Sequence, residues 1–274
     1  MNSRNRGYNL ITTMFQDMVK FPKLGIGTYR VWYRDFFYFK KYIVSSIFWH
    51  FTEPLLYIVA FGYGLGFFVG KINGIPYMIF LAPAILATTA MQGAVFESTY
   101  SSFTKLRVQK TYETIMMTPV SVEDVVAGEI LWGATKAFFA VLGVMFVFLA
   151  LGMVHGISAW MTLPVLLLLS WCMSAMSMVV TSHARDYDSF SYFFSLVVTP
   201  MSLLAGTFFP LEHFPKWAQV IAWIMPLTHG VLVTRDLFLG HWKSVLWGNI
   251  LVLIVMSVLF SNWAINQTRR RLIY

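Results

Sequence analysis

Six runs of apolar residues, each long enough to cross a hydrocarbon layer, divide this chain. A helix rises about 1.5 Å per residue and the bilayer core is about 30 Å thick, so about 20 residues make one crossing. The runs fall at about Tyr42–Gly70, Tyr77–Tyr100, Val125–Gly152, Ala159–Thr181, Phe190–Phe209 and Val245–Ala264. Of the 274 residues 58% are hydrophobic and 12% charged, where a soluble domain carries about 25% charge. That balance excludes disorder, a fibre and an ordinary cytosolic enzyme. Backbone in lipid must satisfy its own hydrogen bonds, so the fold class is an all-α membrane protein with six transmembrane helices. No short apolar core near the start leads into a small-residue cleavage site, so no cleavable signal peptide is expected.

Basic residues set the expected orientation. With six spans both termini share a side. That side holds Arg4, Arg6, Lys20, Lys23, Arg30, Arg34, Lys40, Lys41, Lys105, Arg107, Lys110, Arg185, Arg269, Arg270 and Arg271. The other side holds Lys71, Lys216, Arg235 and Lys243. The positive-inside rule therefore predicts cytoplasmic termini. Residues 1–41 read as a cytoplasmic N-terminus, 42–264 as the transmembrane domain and 265–274 as a basic cytoplasmic tail. Within residues 28–41, Arg30 and Arg34 share one helical face while Trp32, Phe36 and Phe39 occupy another. That pattern predicts an amphipathic helix in the cytoplasmic interface, its aromatic side in lipid.

Motifs for catalysis are missing from the sequence. Gly66–Ile72 is the nearest approach to a phosphate-binding loop, but its spacing is wrong and no hydroxyl follows Lys71 to hold magnesium. The chain is not expected to hydrolyse ATP, to contain catalytic residues or to bind a metal or cofactor of its own. The six histidines are scattered, and His183 with Asp186 and Asp188 reads as a solvated turn. The lone Cys172 allows no internal disulfide. Nucleic-acid binding needs a soluble basic face, which this chain lacks.

Ionisable residues within spans are functional candidates because hydrocarbon makes them costly. Glu53 follows Lys41 by 12 residues, about 18 Å along a helix and so near mid-membrane. Glu129 and Lys136, seven apart on the third span, share a face, and Glu97 closes the second span. Each of Glu53, Lys136 and Glu129 is a candidate for a transport pathway or for an ion pair locking the bundle. Gly62, Gly66 and Gly70 have the spacing of a close helix contact.

Two segments carry a family resemblance. One is Lys105–Thr135, with Lys110-Thr111-Tyr112-Glu113-Thr114-Ile115-Met116-Met117-Thr118-Pro119 at its centre; the other is Thr199–Arg235, with Pro200–Glu212 and Met225-Pro226-Leu227-Thr228-His229. Together with Glu53-Pro54-Leu55-Leu56-Tyr57 and the glycine-rich Phe61–Gly66, they resemble the ABC-2 family of ABC-transporter permeases, above all the NodJ-type lipooligosaccharide exporters. The resemblance implies a homodimer of this chain with two copies of a soluble ABC ATPase subunit, in which ATP and Mg would bind. It implies residence in a bacterial inner membrane, among its lipids, and outward transport of a lipid-linked or lipo-oligosaccharide. A hydrophobic drug or a polysaccharide is the alternative cargo.

The resemblance also implies a coupling helix within about Lys105–Met117. Lys110, Thr111, Tyr112, Glu113, Ile115 and Met116 would then meet the ATPase, with Pro119 ending the helix. Tyr112, Ile115 and Met116 supply an apolar face for that groove, and Ser121 with Asp124 is suited to start the third span as an N-cap. Leu211–Trp242, broken by Pro215 and Pro226 and preceded by Gly206 and Pro210, would form re-entrant helices from the outer side, with Arg235 and Asp236 at a wet edge. A membrane enzyme acting on lipid-linked sugars is a rival reading; it would need an acid–base pair, for which Asp186 and Asp188 are the nearest candidates.

The orientation is checked by single-cysteine labelling in a Cys172→Ser background. Cysteines at Gln109 and Asn266 should be protected from impermeant reagent in intact cells and one at Gly156 labelled; labelling of either of the first two overturns the topology.

Overall fold

A computed structural model describes residues 18, 21–43, 52, 54–72, 74–154 and 156–273. Helix α1 (Gly27–Phe39) buries Val31, Asp35 and Phe39 at four-residue spacing. Helix α2 (Pro54–Val69) follows. Gly70, at φ 67°, then turns the chain into a hairpin of two-residue antiparallel strands, β1 (Lys71–Ile72) and β2 (Ile75–Pro76). Next come α3 (Tyr77–Val108), α4 (Thr111–Met116), α5 (Val122–Ala150) and α6 (Thr162–His183). Helix α7 occupies 188–204 as three successive stretches, Asp188–Phe193, Phe194–Val198 and Thr199–Leu204. The last helices are α8 (Lys216–Ile224), α9 (Pro226–Phe238) and α10 (Val245–Ile273).

The all-helical membrane class holds. Among the described residues, four helices are long and apolar enough to cross a bilayer: α3, α5, α6 with the turn before it, and α10. Helices α8 and α9 meet at 90°, and a fifth crossing exists if that bent pair counts as one. Residues 44–51 and 53 of the first apolar run lie outside the described residues, its remainder from Pro54 to Val69 forms α2, and the fifth run lies largely in α7; six spans are therefore not confirmed among the described residues. The second span continues past Tyr100 to Val108, and the sixth past Ala264 to Ile273.

Helix α3 lies at the centre against α5, α6 and α9, whereas α10 packs on the outside of α6. Trp247, Leu251, Val255 and Val258 face outward from α10. Small residues and hydroxyls let the central helices approach closely. The Ser98 and Ser174 hydroxyls are 2.6 Å apart beside Gly133, Ser174 Oγ donates to the Ile130 carbonyl (2.9 Å), and Thr181 Oγ1 to that of Ser98 (2.6 Å). The α2 glycines have the same use: side chains added at Gly62 and Gly66 would meet Met78 and Tyr77 at the start of α3.

His229 pins the bent α8–α9 pair to itself and to α10. His229 Nε2 lies 3.0 Å from the Trp223 carbonyl oxygen and Nδ1 2.7 Å from Asn249 Oδ1 on α10. Gly206 has φ 78°, and Pro226 occupies the first turn of α9. Arg235 departs from the expected wet edge. Its guanidinium lies 3.8 Å from the Phe80 ring centroid and donates to the Gly206 (2.7 Å) and Phe80 (3.3 Å) carbonyls. The turn after α7 leaves the Gly206 oxygen in need of a donor, and a guanidinium can reach several acceptors at once.

The basic tail is helical and engaged. Arg269 pairs with Glu123 at 2.9 Å, and Arg271 donates to the Thr181, Ser182 and Ala184 carbonyls at the end of α6. Those carbonyls have no partner within their own helix, so a cation there satisfies both hydrogen bonds and dipole.

Helix α1 lies against α5. The aromatic face expected in lipid turns inward instead: Trp32 Nε1 donates to Thr135 Oγ1 (3.0 Å), and Phe36 and Phe39 pack on Trp132 and Phe139. Tyr29, Tyr33, Phe37 and Tyr38 are the exposed aromatics. A β-carbon on Gly128 would lie 2.7 Å from Val31 Cβ and 2.9 Å from the Thr28 carbonyl oxygen. Gly128→Ala should therefore push α1 off α5 and cost about 1–3 kcal/mol. Gly248→Ala, with nothing within 4 Å, should be neutral or slightly stabilising. Thermal unfolding of both variants in detergent checks the contrast.

Candidate functional site

Where α1, α3 and α5 converge, three carboxylates meet three cations. Glu129 is seven residues into α5, about 10 Å from its start. It accepts from Lys105 Nζ (2.8 Å), Arg34 Nη2 (2.9 Å) and Ser102 Oγ (3.3 Å). Asp35 lies 3.1 Å from Lys105 and 2.9 Å from Arg34. Glu97 accepts from Lys136 Nζ at 2.6 Å and Trp132 Nε1 at 2.9 Å, with Lys105 at 3.8 Å. The Glu129 side chain is fully buried and those of Asp35 and Glu97 nearly so. Buried charges persist only when paired and hydrogen-bonded. Here the charges balance, and Lys105 touches all three acids.

Local backbone chemistry explains how one helix supplies both Glu97 and Lys105. In a regular helix eight residues turn by about 800°, which leaves the two about 80° apart. Helix α3 widens into π-helical turns at Glu97–Ser101 and Thr104–Val108. One extra residue in a turn takes up about 100°, bringing Glu97 and Lys105 within about 20° of one face.

Two caps fix the neighbouring elements. Ser121 accepts from the Asp124 backbone N–H (3.1 Å) as the N-cap of α5, as expected. Asp124 in turn accepts from the Gly25 backbone N–H (2.7 Å) and Thr28 Oγ1 (2.9 Å), tying the start of α1 to the start of α5. Burial lowers the Arg34 pKa, but Asp35 and Glu129 more than offset this and hold it above its ordinary value. A cavity of about 750 Å³ opens beside the ions, walled by Arg34, Tyr38, Glu97, Lys105, Trp132 and Lys136.

Helix α4 stands directly on this network. Tyr112 is fully buried against Val31, Leu106, Val122 and Val125. Burial, and then the Glu129 carboxylate, push its hydroxyl well above the ordinary value of 10. Ile115 and Met116 are part-buried on the same cluster. The apolar face expected to enter a partner thus anchors α4 to its own chain. Lys110, the N-cap of α4, has φ 51°, a left-handed conformation uncommon outside glycine. The exposed surface on and beside the helix carries Glu113 and the flanking Val108, Lys110 and Met117, the last 86% exposed. Lys110 and Glu113 lie 3.9 Å apart, and Pro119 sits in the exposed turn before α5.

The structure thus brings Glu129 and Lys136 into one network but not into one pair. Lys136 takes Glu97, and Glu129 takes Lys105 and Arg34. Glu53 lies outside the described residues. Gly206, Pro210 and Pro226 stand at the turns around the bent pair, away from the ions. Sequence reasoning missed Asp35 and treated Lys105 as a loop charge. The available signal was Asp35's four-residue spacing from Val31 and Phe39 on the buried stripe of α1.

The profile of the family described as "ABC-2 type transporter" matches residues 28–239, a stretch that takes in α1, the ion network, α4 and the bent pair. The chain belongs to the ABC-2 type transporter family. The permease is 37% identical over 219 residues to Nodulation protein J of Rhizobium meliloti (strain 1021), covering 80% of this chain and 84% of that one. It is 32% identical over 243 residues to Nodulation protein J of Sinorhizobium fredii, covering 89% and 93%. Inner membrane transport permease YadH of Escherichia coli (strain K12) is 23% identical over 246 residues, 88% and 95% of the two chains. Membership makes the permease a multi-pass bacterial inner-membrane transport subunit rather than an enzyme, and implies an ATPase subunit as partner.

Glu129→Leu would strip Lys105 and Arg34 of their shared carboxylate. It should cost about 3–5 kcal/mol, since uncompensated buried charge is expensive. Glu97→Gln combined with Lys136→Met should cost less than the sum of the single changes, by about 0.5–3 kcal/mol. Denaturant unfolding in detergent measures both, and strict additivity of the second pair would contradict the network.

Proposed function

We propose that the permease is the membrane subunit of an ATP-driven exporter moving a lipid-linked or lipo-oligosaccharide outward. Two copies of this chain would join two copies of a soluble ATPase subunit, which supplies ATP and Mg chemistry. The cytoplasmic assignment of both termini and of α4 rests on the distribution of basic residues. The cargo class rests on the resemblance of the permease segments and on the relatives named Nodulation protein J.

The observation that carries the mechanism is the position of α4. Glu113 on its outer side and the flanking Val108, Lys110 and Met117 form an exposed surface, while its inner side ends in Tyr112 beside Glu129. A push on α4 from a closing ATPase dimer reaches α1, α3 and α5 together, because one ion network holds all three. Helix α4 is too short to absorb the displacement, and Tyr112 is packed on every side. Packed interiors transmit such shifts rather than dissipate them. Glu53 and the Lys136–Glu97 pair remain candidates for the pathway or for its lock.

Coupling and folding should separate by variant. Val108→Asp and Met117→Asp place a carboxylate on the exposed surface; they should leave membrane abundance unchanged but lower ATPase co-purification at least tenfold, since a docked charge must lose water. Tyr112→Ala should reduce abundance instead, by opening a cavity under α4. Undiminished ATPase capture and transport in both aspartate variants would remove α4 from the coupling role.

A further inference from the structure

A second cavity, of about 590 Å³, lies between α2, α3 and α7, far in character from the ionic site. Among the described residues that line it, none is charged. Its aromatic wall contains Tyr57, Phe61 and Phe208, with Phe208 ring centroids 6.3 Å from Tyr57 and 4.9 Å from Phe61. Opposite stand neutral polar groups on α3, chiefly Gln92 with Thr88. Gln92 is 15 residues past Tyr77, about 22 Å along the helix and so deep in the span.

Its amide has no hydrogen-bond partner among the described residues. The Thr207 hydroxyl, in a residue 1% exposed at the edge of the same cavity, also has none. Polar groups at membrane depth are costly without partners. Two of them beside one empty volume indicate that something polar enters it.

We propose that this cleft is a binding subsite for an uncharged sugar residue of an amphipathic substrate, with Gln92 and Thr207 as its reading groups. The proposal rests on the exporter reading above and assigns a place and a charge preference within it. A pyranose ring carries an apolar C–H face and a neutral hydroxyl rim, which match an aromatic wall facing an amide and a hydroxyl. An acyl tail alone would leave both polar groups unpaired, and an anionic or zwitterionic head would lose its hydration with no counter-charge to meet among the described lining residues. The volume lies within the roughly 300–1,000 Å³ of small-molecule sites.

The test uses purified permease in lipid nanodiscs, without ATPase, titrated with three ten-carbon amphiphiles below their micelle thresholds: decyl maltoside, decyl phosphocholine and decanol. Decyl maltoside should bind at least tenfold tighter than either of the others. Gln92→Leu should erase at least fivefold of that preference and Thr207→Val a smaller part, with decanol binding unchanged as proof that the cleft is intact. Equal affinity for the three heads, or a full preference surviving in both variants, overturns the subsite. So does a disulfide between two copies carrying Gln92→Cys, which would mean that the second copy covers the cleft. Since no ATPase is present, failure here leaves the exporter reading standing, whereas undiminished ATPase capture by the α4 aspartate variants would remove the coupling role without touching the cleft.

Discussion

A self-neutralising group of six charges underlies the cytoplasm-facing half proposed for this permease. Arg34, Asp35, Glu97, Lys105, Glu129 and Lys136 come from α1, α3 and α5; parting α3 from α5 breaks the Lys105–Glu129 and Lys136–Glu97 pairs, and parting α1 from them takes Arg34 from Glu129 and Asp35 from Lys105. In water such pairs are worth little, because solvent screens them. Between helices with apolar faces the asymmetry reverses: forming the network gains modestly, while breaking it is prohibitive. This is a device for holding a geometry rather than for adding stability, and it suits a subunit that has to move as connected blocks.

Much of the rest of the fold follows from keeping polar groups satisfied in lipid. Serine and threonine hydroxyls bond to carbonyls one turn back or across the Ser98–Ser174 seam. Arg235 serves the carbonyls exposed by the turn after α7. Glycines at 128, 133 and 230 remove the side chains that would hold these contacts apart. The cleft between α2, α3 and α7 is one of the places where this economy is incomplete.

The sequence made the helices legible because apolar run length is a direct readout of the solvent. It also revealed the α5 cap, since a serine three residues before an acid has few other uses at a helix start. It could not reveal which face of α1 turns inward, because aromatic residues suit a lipid interface and a helix contact equally. Nor could it pair Lys136 with Glu97 rather than Glu129. Helical spacing assumes 3.6 residues per turn, and the π-helical turns of α3 shift the register by a residue just where the acid and its partners lie. Tyr112 was misread for a related reason: an apolar stripe on a short helix does not say whether its groove belongs to a partner or to its own chain.

The engaged arginines of α10 bear on when charge acts. During insertion the basic residues are free, and their number on each side of the bilayer orients the chain. In the folded permease Arg34, Lys105, Arg269 and Arg271 are held by carboxylates and helix-end carbonyls. The same residues thus serve first as an address and later as mortar. The folded surface consequently offers anionic lipid fewer positive charges than the sequence total suggests.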